Sequence, residues 1–146
     1  MGSINLVRVV LGGLAAGVVL NAVDFVVQGM ILEQQWTEAM RSLSRPPIGG
    51  SAIAMFVVLD FLYGITIAYL YAAIRPRMGA GPSTAVCAGL MLWTVVGLFG
   101  LLGNLPLGIF PLGLLFTGVA AALPAYVVAG LVAGWLYRED EAARAS

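Results

Sequence analysis

Four long apolar stretches limit what this chain can fold into. Each is close to or above the roughly 20 apolar residues with which an α-helix crosses the hydrocarbon of a bilayer. A segment in that environment must bond its own backbone polar groups, and a helix does so within one segment. We therefore predict an all-α fold, a four-helix transmembrane bundle. The spans cover about 6–32, 51–74, 83–103 and 112–137 of a single transmembrane domain, 1–146.

The composition fits a lipid environment and argues against one class of partner. Hydrophobic residues make up 61% of the chain and charged residues 10%, whereas a soluble domain carries about a quarter charged residues. The formal net charge is zero and there is no Lys. Without a basic tract to neutralise phosphates, nucleic-acid binding is not supported. We expect the lipid bilayer to surround the protein.

Pro and Gly separate the spans. Pro76 is expected to stop the second span, because proline cannot continue the backbone hydrogen bonding of a helix. Asn104, Pro106 and Pro111 predict a short, helix-free connection between the third and fourth spans. The segment 33–43 has Trp36 and other apolar residues at helical spacing. It is either a short helix lying on the membrane surface or a solvated loop.

The Arg distribution predicts the orientation. With four spans, both termini lie on the same side as the connection between the second and third spans. That side carries five cations, Arg8, Arg75, Arg77, Arg138 and Arg144, against two on the other, Arg41 and Arg45. Cationic loops stay cytoplasmic, so we expect a multi-pass protein of the bacterial inner membrane with both termini in the cytoplasm. The aromatic residues near the span ends, Trp36, Tyr69, Tyr71, Trp135 and Tyr137, are expected at headgroup depth.

One face of the first span is unusually polar. Gly13, Gly17, Asn21, Asp24 and Gln28 follow one another at intervals of four, four, three and four, so they share one helical stripe. The Gly pair allows another backbone to approach closely. The amide–carboxyl–amide part should face protein, with the two amides as the nearest hydrogen-bond partners of Asp24.

A second intramembrane acid, Asp60, lies on the second span. Because the two spans run in opposite directions, Asp24 and Asp60 should lie at similar depth. A carboxylate in hydrocarbon is costly unless it is paired, hydrated or protonated, and no Arg lies deep in any span. The acids and the two amides, Asn21 and Gln28, therefore form a predicted intramembrane polar site. It serves either as a proton or cation site of a transporter or as interhelical hydrogen-bonding contacts.

Small residues recur on the other spans too. Span three has glycines every three residues from Gly97, and span four has small residues every four. Such faces allow tight helix packing, within the chain or against another protein. The positions that we expect to pack helices are Gly13, Gly17, Gly64, Gly97, Gly118, Ala122, Gly130 and Gly134.

Enzymatic chemistry finds little support in the sequence. There is no His and only one Cys, which removes the usual general base, the commonest metal ligand and any Cys pair. No nucleophile elbow or phosphate-binding glycine loop is present. We expect no catalytic residues, no metal, no cofactor and no enzymatic activity.

The pattern Asn21-x-x-Asp24-Phe25, with Trp36 soon after and Arg75-Pro76-Arg77 at the end of span two, resembles small uncharacterised four-span membrane proteins of high-GC bacteria. The resemblance covers most of the chain and implies no particular activity. From the small-residue faces and short connections, we expect a non-catalytic accessory or assembly subunit of a larger membrane complex, in contact with other subunits or with itself. The alternative is a small proton- or cation-coupled transporter that uses the Asp pair.

Overall fold

The four predicted spans are present as helices. The structure is a computed structural model that describes residues 4–137. It contains four helical segments long and apolar enough to cross a membrane, which are Leu6–Ile31, Gly50–Met78, Pro82–Leu107 and Leu112–Leu136. No strand occurs within residues 4–137. The prediction of an all-α four-helix transmembrane bundle is therefore confirmed.

The first span is a regular helix with a wider turn at its end. Helix α1, Leu6–Val26, starts at Asn5, whose side chain accepts a hydrogen bond from the Arg8 backbone N–H. It continues as a first π-helical turn, Val27–Ile31. Helix α2, Glu33–Ser42, follows at once. The segment 33–43 is thus mostly helical, and the alternative of a solvated loop is wrong.

Helix α3, Gly50–Met78, extends past the proline that was expected to end it. Pro76 lies only two residues from the helix end, so its missing N–H removes a single hydrogen bond from the last turn. The helix ends instead at Gly79, whose φ of 85° is a conformation that glycine adopts without strain. The prediction that Pro76 stops the second span is wrong by two residues.

The third span is a helix interrupted by a second π turn. Helix α4, Pro82–Trp93, leads into this turn, Thr94–Leu98, and then into α5, Phe99–Asn104. A 3₁₀ turn, Leu105–Leu107, extends it further, so the predicted helix-free connection is wrong over these residues. Proline is tolerated in the first positions of such a turn because its missing N–H is not needed there.

Helix α6, Leu112–Leu136, completes the bundle. It packs against α4, α1 and α3, while α1 packs most extensively against α3. The main core lies among these four helices and is built largely from Ala, with Leu20 and Ile67 as larger members. Small side chains of this kind let helices approach closely where lipid provides no hydrophobic driving force for association.

Glycines form the contact between α1 and α3. A Cβ atom on Gly64 would overlap the carbonyl oxygen of Gly13 and the backbone of Gly17. A Cβ on Gly17 would lie 2.8 Å from the Cα of Phe61. The two backbones therefore touch directly, and no larger residue fits at these positions without moving a helix. We call this contact, formed by Gly13, Gly17 and Gly64, the glycine seam.

A second close contact joins α4 to α6. A Cβ on Gly130 would overlap the Ala85 carbonyl, and a Cβ on Gly134 would lie 2.8 Å from the Ala85 Cβ. Gly89 faces the Tyr126 carbonyl in the same way. Gly89 was not among the predicted packing residues, although Ala85 and Gly89 have the small-x-x-x-small spacing that indicates such a contact.

The two described ends of the chain meet at one end of the bundle. The Asn5 backbone N–H donates a hydrogen bond of 3.3 Å to the Tyr137 hydroxyl. The rings of Tyr71 and Tyr137 pack edge to face with centroids 5.9 Å apart, and the Arg75 guanidinium lies 5.7 Å from the Tyr137 centroid. Both tyrosines are buried, so their rings pack against protein at this end of the bundle, and their headgroup depth stays a prediction. Two of the cations used to predict orientation, Arg138 and Arg144, lie outside the described residues.

The close backbone contact at the glycine seam predicts that a larger residue there lowers the stability of the fold. The Gly64→Ala variant should lose about 1–3 kcal/mol of unfolding free energy, because the added methyl group must separate α1 from α3. Reversible denaturant unfolding in detergent micelles, followed by circular dichroism, measures this loss.

The matched control is Gly100→Ala, on α5. A Cβ there meets no atom within 4 Å, so this variant should unfold like the parent protein. If the two variants were equally stable, the claim that direct backbone contact at the glycine seam holds α1 against α3 would be wrong.

Candidate functional site

A cavity of about 220 Å³ lies among the helices on the side that carries α2. Its polar lining comes from α1 and its π turn, from α3 and from α6, and consists of Asp24, Gln28, Asp60, Tyr63 and Tyr126. Two indole rings, those of Trp36 and Trp93, complete the aromatic part of the wall. The cavity is smaller than the roughly 300–1,000 Å³ of pockets for drug-sized ligands.

The two predicted acids face this cavity together. Asp60 is 6% exposed, and Asp24 is partly buried. Both side chains line the same space. The glycine seam brings this about, because it fixes α1 against α3 two to three turns from Asp24 and one turn from Asp60. Within residues 4–137, neither carboxyl group accepts a hydrogen bond from another side chain or from the backbone.

Two tyrosine hydroxyls accompany the acids. Tyr63 lies one turn after Asp60 on α3 and lines the cavity with both acids. Tyr126 lines the same cavity from α6. The sequence predicted no chemical role for either residue. The spacing of three between Asp60 and Tyr63 is the available signal, because residues three apart lie on one face of a helix.

Gln28 forms its hydrogen bond with Trp36 and not with an acid. Its Oε1 accepts a hydrogen bond of 2.8 Å from the Trp36 indole N–H. The Trp36 ring in turn packs edge to face on Phe110, with centroids 5.6 Å apart. Gly118 leaves the room for this arrangement, since a Cβ there would lie 3.1 Å from the Gln28 Nε2. Trp36 thus turns into the bundle and ties α2 to the cavity.

Asn21 lies beside the glycine seam. Its Nδ2 donates to the carbonyl oxygens of Gly17, at 3.0 Å, and Val57, at 3.3 Å. Asn21 is not part of the cavity lining. The expectation that Asn21 and Gln28 are hydrogen-bond partners of Asp24 is therefore wrong, because each amide has a different partner.

The opposite wall is formed by the third span. The Trp93 indole N–H donates a hydrogen bond of 2.9 Å to the Val119 carbonyl on α6. Gly97 lies one turn beyond, where a Cβ would be 3.3 Å from the Trp93 Nε1. Gly97, Gly118 and Ala122 all line the cavity, so three of the predicted packing residues leave space open as well as bringing helices together.

Both π-helical turns border the cavity. Gln28 belongs to the first turn, and Val96 and Gly97 belong to the second. Single π turns are rare within α-helices and are frequent at functional sites, because the extra residue changes the direction in which nearby side chains point. No sequence pattern used above predicts these turns.

The charges of the lining are all of one sign. Two carboxyl groups face the cavity, and none of its lining residues is an Arg. The indole N–H groups are already bonded elsewhere. The hydroxyls of Tyr63 and Tyr126 and the Nε2 of Gln28 are thus the side-chain donors left on the wall. Such a site can accept a proton at a carboxylate and donate hydrogen bonds from two phenols.

Comparison with known proteins finds likeness to a membrane enzyme. The chain is 27% identical over 129 residues to phosphatidylglycerol–prolipoprotein diacylglyceryl transferases of Coxiella burnetii, from strains RSA 331 / Henzerling II and CbuG_Q212. The alignment covers 88% of this chain and 49% of the transferase. The chain therefore spans about half the length of the enzymes that it matches. No family model matches the chain. No solved structure gives a significant match.

This likeness corrects two expectations from the sequence. A similarity to transferases over most of the chain contradicts both the non-catalytic accessory subunit and the absence of enzymatic activity. It gives no support to the alternative of a coupled transporter. The error came from searching for His, Cys pairs and the loop motifs of soluble enzymes, although carboxyl and phenol groups also serve as acids and bases.

The bond between Gln28 and Trp36 predicts how firmly α2 is held. In Trp36→Phe the ring can still pack on Phe110, but the hydrogen bond to Gln28 is lost. Because such a bond contributes about 0.5–1.5 kcal/mol, the backbone amides of α2 should exchange with deuterium up to about tenfold faster.

Hydrogen exchange measured by mass spectrometry on the protein in nanodiscs tests this. Trp135→Phe is the matched control, since Trp135 is 77% exposed and distant from α2 in the chain. Unchanged exchange of α2 in Trp36→Phe would show that the bond does not anchor this helix.

Proposed function

We propose that this chain is a membrane-embedded enzyme that transfers a group from a lipid donor to an acceptor. The cavity lined by Asp24, Asp60, Tyr63 and Tyr126 is its active site. The observation that carries the proposal is a buried carboxyl group with no donor from the chain, opening on a cavity, in a protein similar to a transferase over 88% of its length. A carboxyl group without a donor on a side chain this buried calls for an explanation, and a catalytic role is one.

Asp60 acts as the general base in this proposal. The acceptor brings an O–H, N–H or S–H group into the cavity, and its proton passes to the Asp60 carboxylate. The acceptor atom forms a bond to the transferred group, while the bond to the leaving group breaks and its electrons stay with the leaving group. A positioned base of this kind contributes about 10²–10⁴-fold to a rate.

The tyrosines stabilise charge that develops on the leaving group. Tyr63 and Tyr126 supply the free hydroxyl donors of the wall, from two different helices. Fixed donors in a site with little water stabilise a developing anion more strongly than water does. The apolar remainder of the wall, which includes Val96 and Leu114, limits the access of water.

The donor and acceptor are proposed from the similar enzymes. Their name gives phosphatidylglycerol as the donor, diacylglyceryl as the transferred group and a prolipoprotein as the acceptor. We propose a glycerophospholipid donor for this chain. A membrane location supports this choice, because such a donor is already dissolved in the bilayer that surrounds the four spans.

We also propose the bacterial inner membrane as the location, with both termini in the cytoplasm. The excess of Arg at the end of the bundle where the termini meet supports this orientation. The open faces of Gly100 and Gly103, where a Cβ would meet nothing within 4 Å, leave room for contact with a further helix.

The Asp60→Asn variant tests the proposed activity. Purified protein in liposomes of phosphatidylglycerol with labelled acyl chains is incubated with a panel of acceptors, namely a prolipoprotein and small thiols, amines and alcohols. Label transferred to an acceptor should fall by about 100-fold or more in Asp60→Asn, because the amide cannot take a proton.

Glu38→Gln is the matched control. Glu38 lies on α2, pairs with Arg41 and is exposed, so this variant should transfer label like the parent. Absence of transfer to every acceptor in the parent protein, or equal transfer in Asp60→Asn, would refute the proposal.

A further inference from the structure

The wall of the cavity combines carboxyl groups with aromatic rings. Asp24 and Asp60 each place a carboxyl group on it, and four aromatic residues, Trp36, Tyr63, Trp93 and Tyr126, line the same space. Rings of this kind attract cations through their electron-rich faces, and aromatic cages recognise organic ammonium groups. An ammonium group also carries the hydrogen-bond donors and the positive charge that the carboxyl groups lack.

From this combination we infer that the cavity binds a small organic ammonium group. The ammonium contacts Asp60 and Asp24 on one side and the aromatic rings on the other. Asp60 is more than nine-tenths buried, lines the cavity and has no hydrogen-bond donor within the described part of the chain. The inference deepens the proposed function by naming the substrate class, and it relies on that proposal only in treating this cavity as the substrate site.

The lining favours an organic cation over an inorganic one. Ca²⁺ takes six to eight oxygen ligands, and Mg²⁺ demands near-ideal octahedral coordination. The wall offers the two carboxyl groups, while the Gln28 oxygen already accepts a bond from Trp36. The aromatic rings described above line the same space. Two carboxyl groups and these rings suit a cation that forms a few charged hydrogen bonds and contacts ring faces.

The size of the cavity suits a small head group. At about 220 Å³, the space has room for a group such as ethanolamine and is smaller than the roughly 300–1,000 Å³ of pockets for drug-sized ligands. The ammonium can come from a free amine or from the head group of an aminophospholipid. Both sources share the chemistry that the cavity recognises.

The test uses ethanolamine and its neutral analogue, ethylene glycol. The full chain is placed in nanodiscs of phosphatidylglycerol, a lipid without an ammonium group. A Trp135→Phe background leaves Trp36 and Trp93, both at the cavity, as the fluorescent reporters. Ethanolamine should change their fluorescence saturably, and ethylene glycol should not. Equal responses to the two compounds, or no saturable response to ethanolamine, would overturn the inference.

Variants link this binding to the cavity. Asp60→Asn should weaken ethanolamine binding by about tenfold to a hundredfold, because a charged hydrogen bond is lost. Tyr126→Phe keeps the ring and should bind nearly as the parent does, whereas Tyr126→Leu should bind several-fold more weakly.

The control variant is Glu38→Gln, because the Glu38 carboxyl is exposed, and its ethanolamine binding should be unchanged. Circular dichroism establishes that each variant is folded, and parent-like affinity in folded Asp60→Asn would contradict the inference.

Two further experiments distinguish a free amine from a lipid head group as the ligand, and an organic cation from an inorganic one. If an aminophospholipid is the natural source, nanodiscs that contain phosphatidylethanolamine should show reduced binding of free ethanolamine. Unreduced binding assigns the site to free amines, which also agrees with the inference. Competition by Mg²⁺ or Na⁺ as strong as that of ethanolamine would instead show an inorganic cation site and would refute it.

The failure of this inference can be told apart from failure of the proposed function. Binding is measured by Trp fluorescence and transfer by the movement of lipid label, so the two results are independent readouts. Saturable ethanolamine binding without transfer would support the ammonium site and refute the proposed enzymatic activity. Transfer that depends on Asp60, without ethanolamine binding, would support the enzymatic activity and refute the ammonium substrate.

Discussion

The direct backbone contact of α1 with α3 supports everything else in this protein. Lipid provides no hydrophobic force between helices, so their association depends on close packing and on hydrogen bonds. Gly13, Gly17 and Gly64 allow that packing, and Asn21 adds hydrogen bonds across the same contact. Because the seam fixes the two helices two to three turns from Asp24 and one turn from Asp60, it also places both acids on one cavity.

The cavity lies where the two acids keep the helices from packing as tightly as they do at the glycine seam. A carboxyl group that faces hydrocarbon is costly, and here both acids line a cavity between the helices. Small residues on α6, together with the two π turns, keep this space open where tight packing would otherwise close it. The likeness to a transferase then gives the space a chemical interpretation. A site that holds an unbonded carboxyl group against aromatic rings is suited to take up a proton or a positively charged group.

The sequence predicted the parts of this structure that depend on regular spacing. The four spans, the glycine stripe of α1 and the similar depth of Asp24 and Asp60 follow from helical periodicity and from the length needed to cross a bilayer. Helix ends near Pro76 and Pro106 were misplaced, because proline close to a helix end removes few bonds. The partners of Asn21 and Gln28, and the roles of Tyr63 and Tyr126, depend on contacts between helices that one sequence does not specify. The enzymatic likeness was missed because carboxyl and phenol groups in an apolar chain form no recognised motif.

The central claim is that the bundle turns Asp24 and Asp60 towards one shared cavity and away from lipid. Solid-state NMR on protein with ¹³C-labelled aspartate side chains in bilayers tests it most directly, because the chain has only one further Asp, Asp140. The structure predicts a through-space cross-peak between the carboxyl carbons of Asp24 and Asp60, and no cross-peak from either to lipid acyl chains. A contact between either carboxyl and the acyl chains, with no cross-peak between the two acids, would contradict the account.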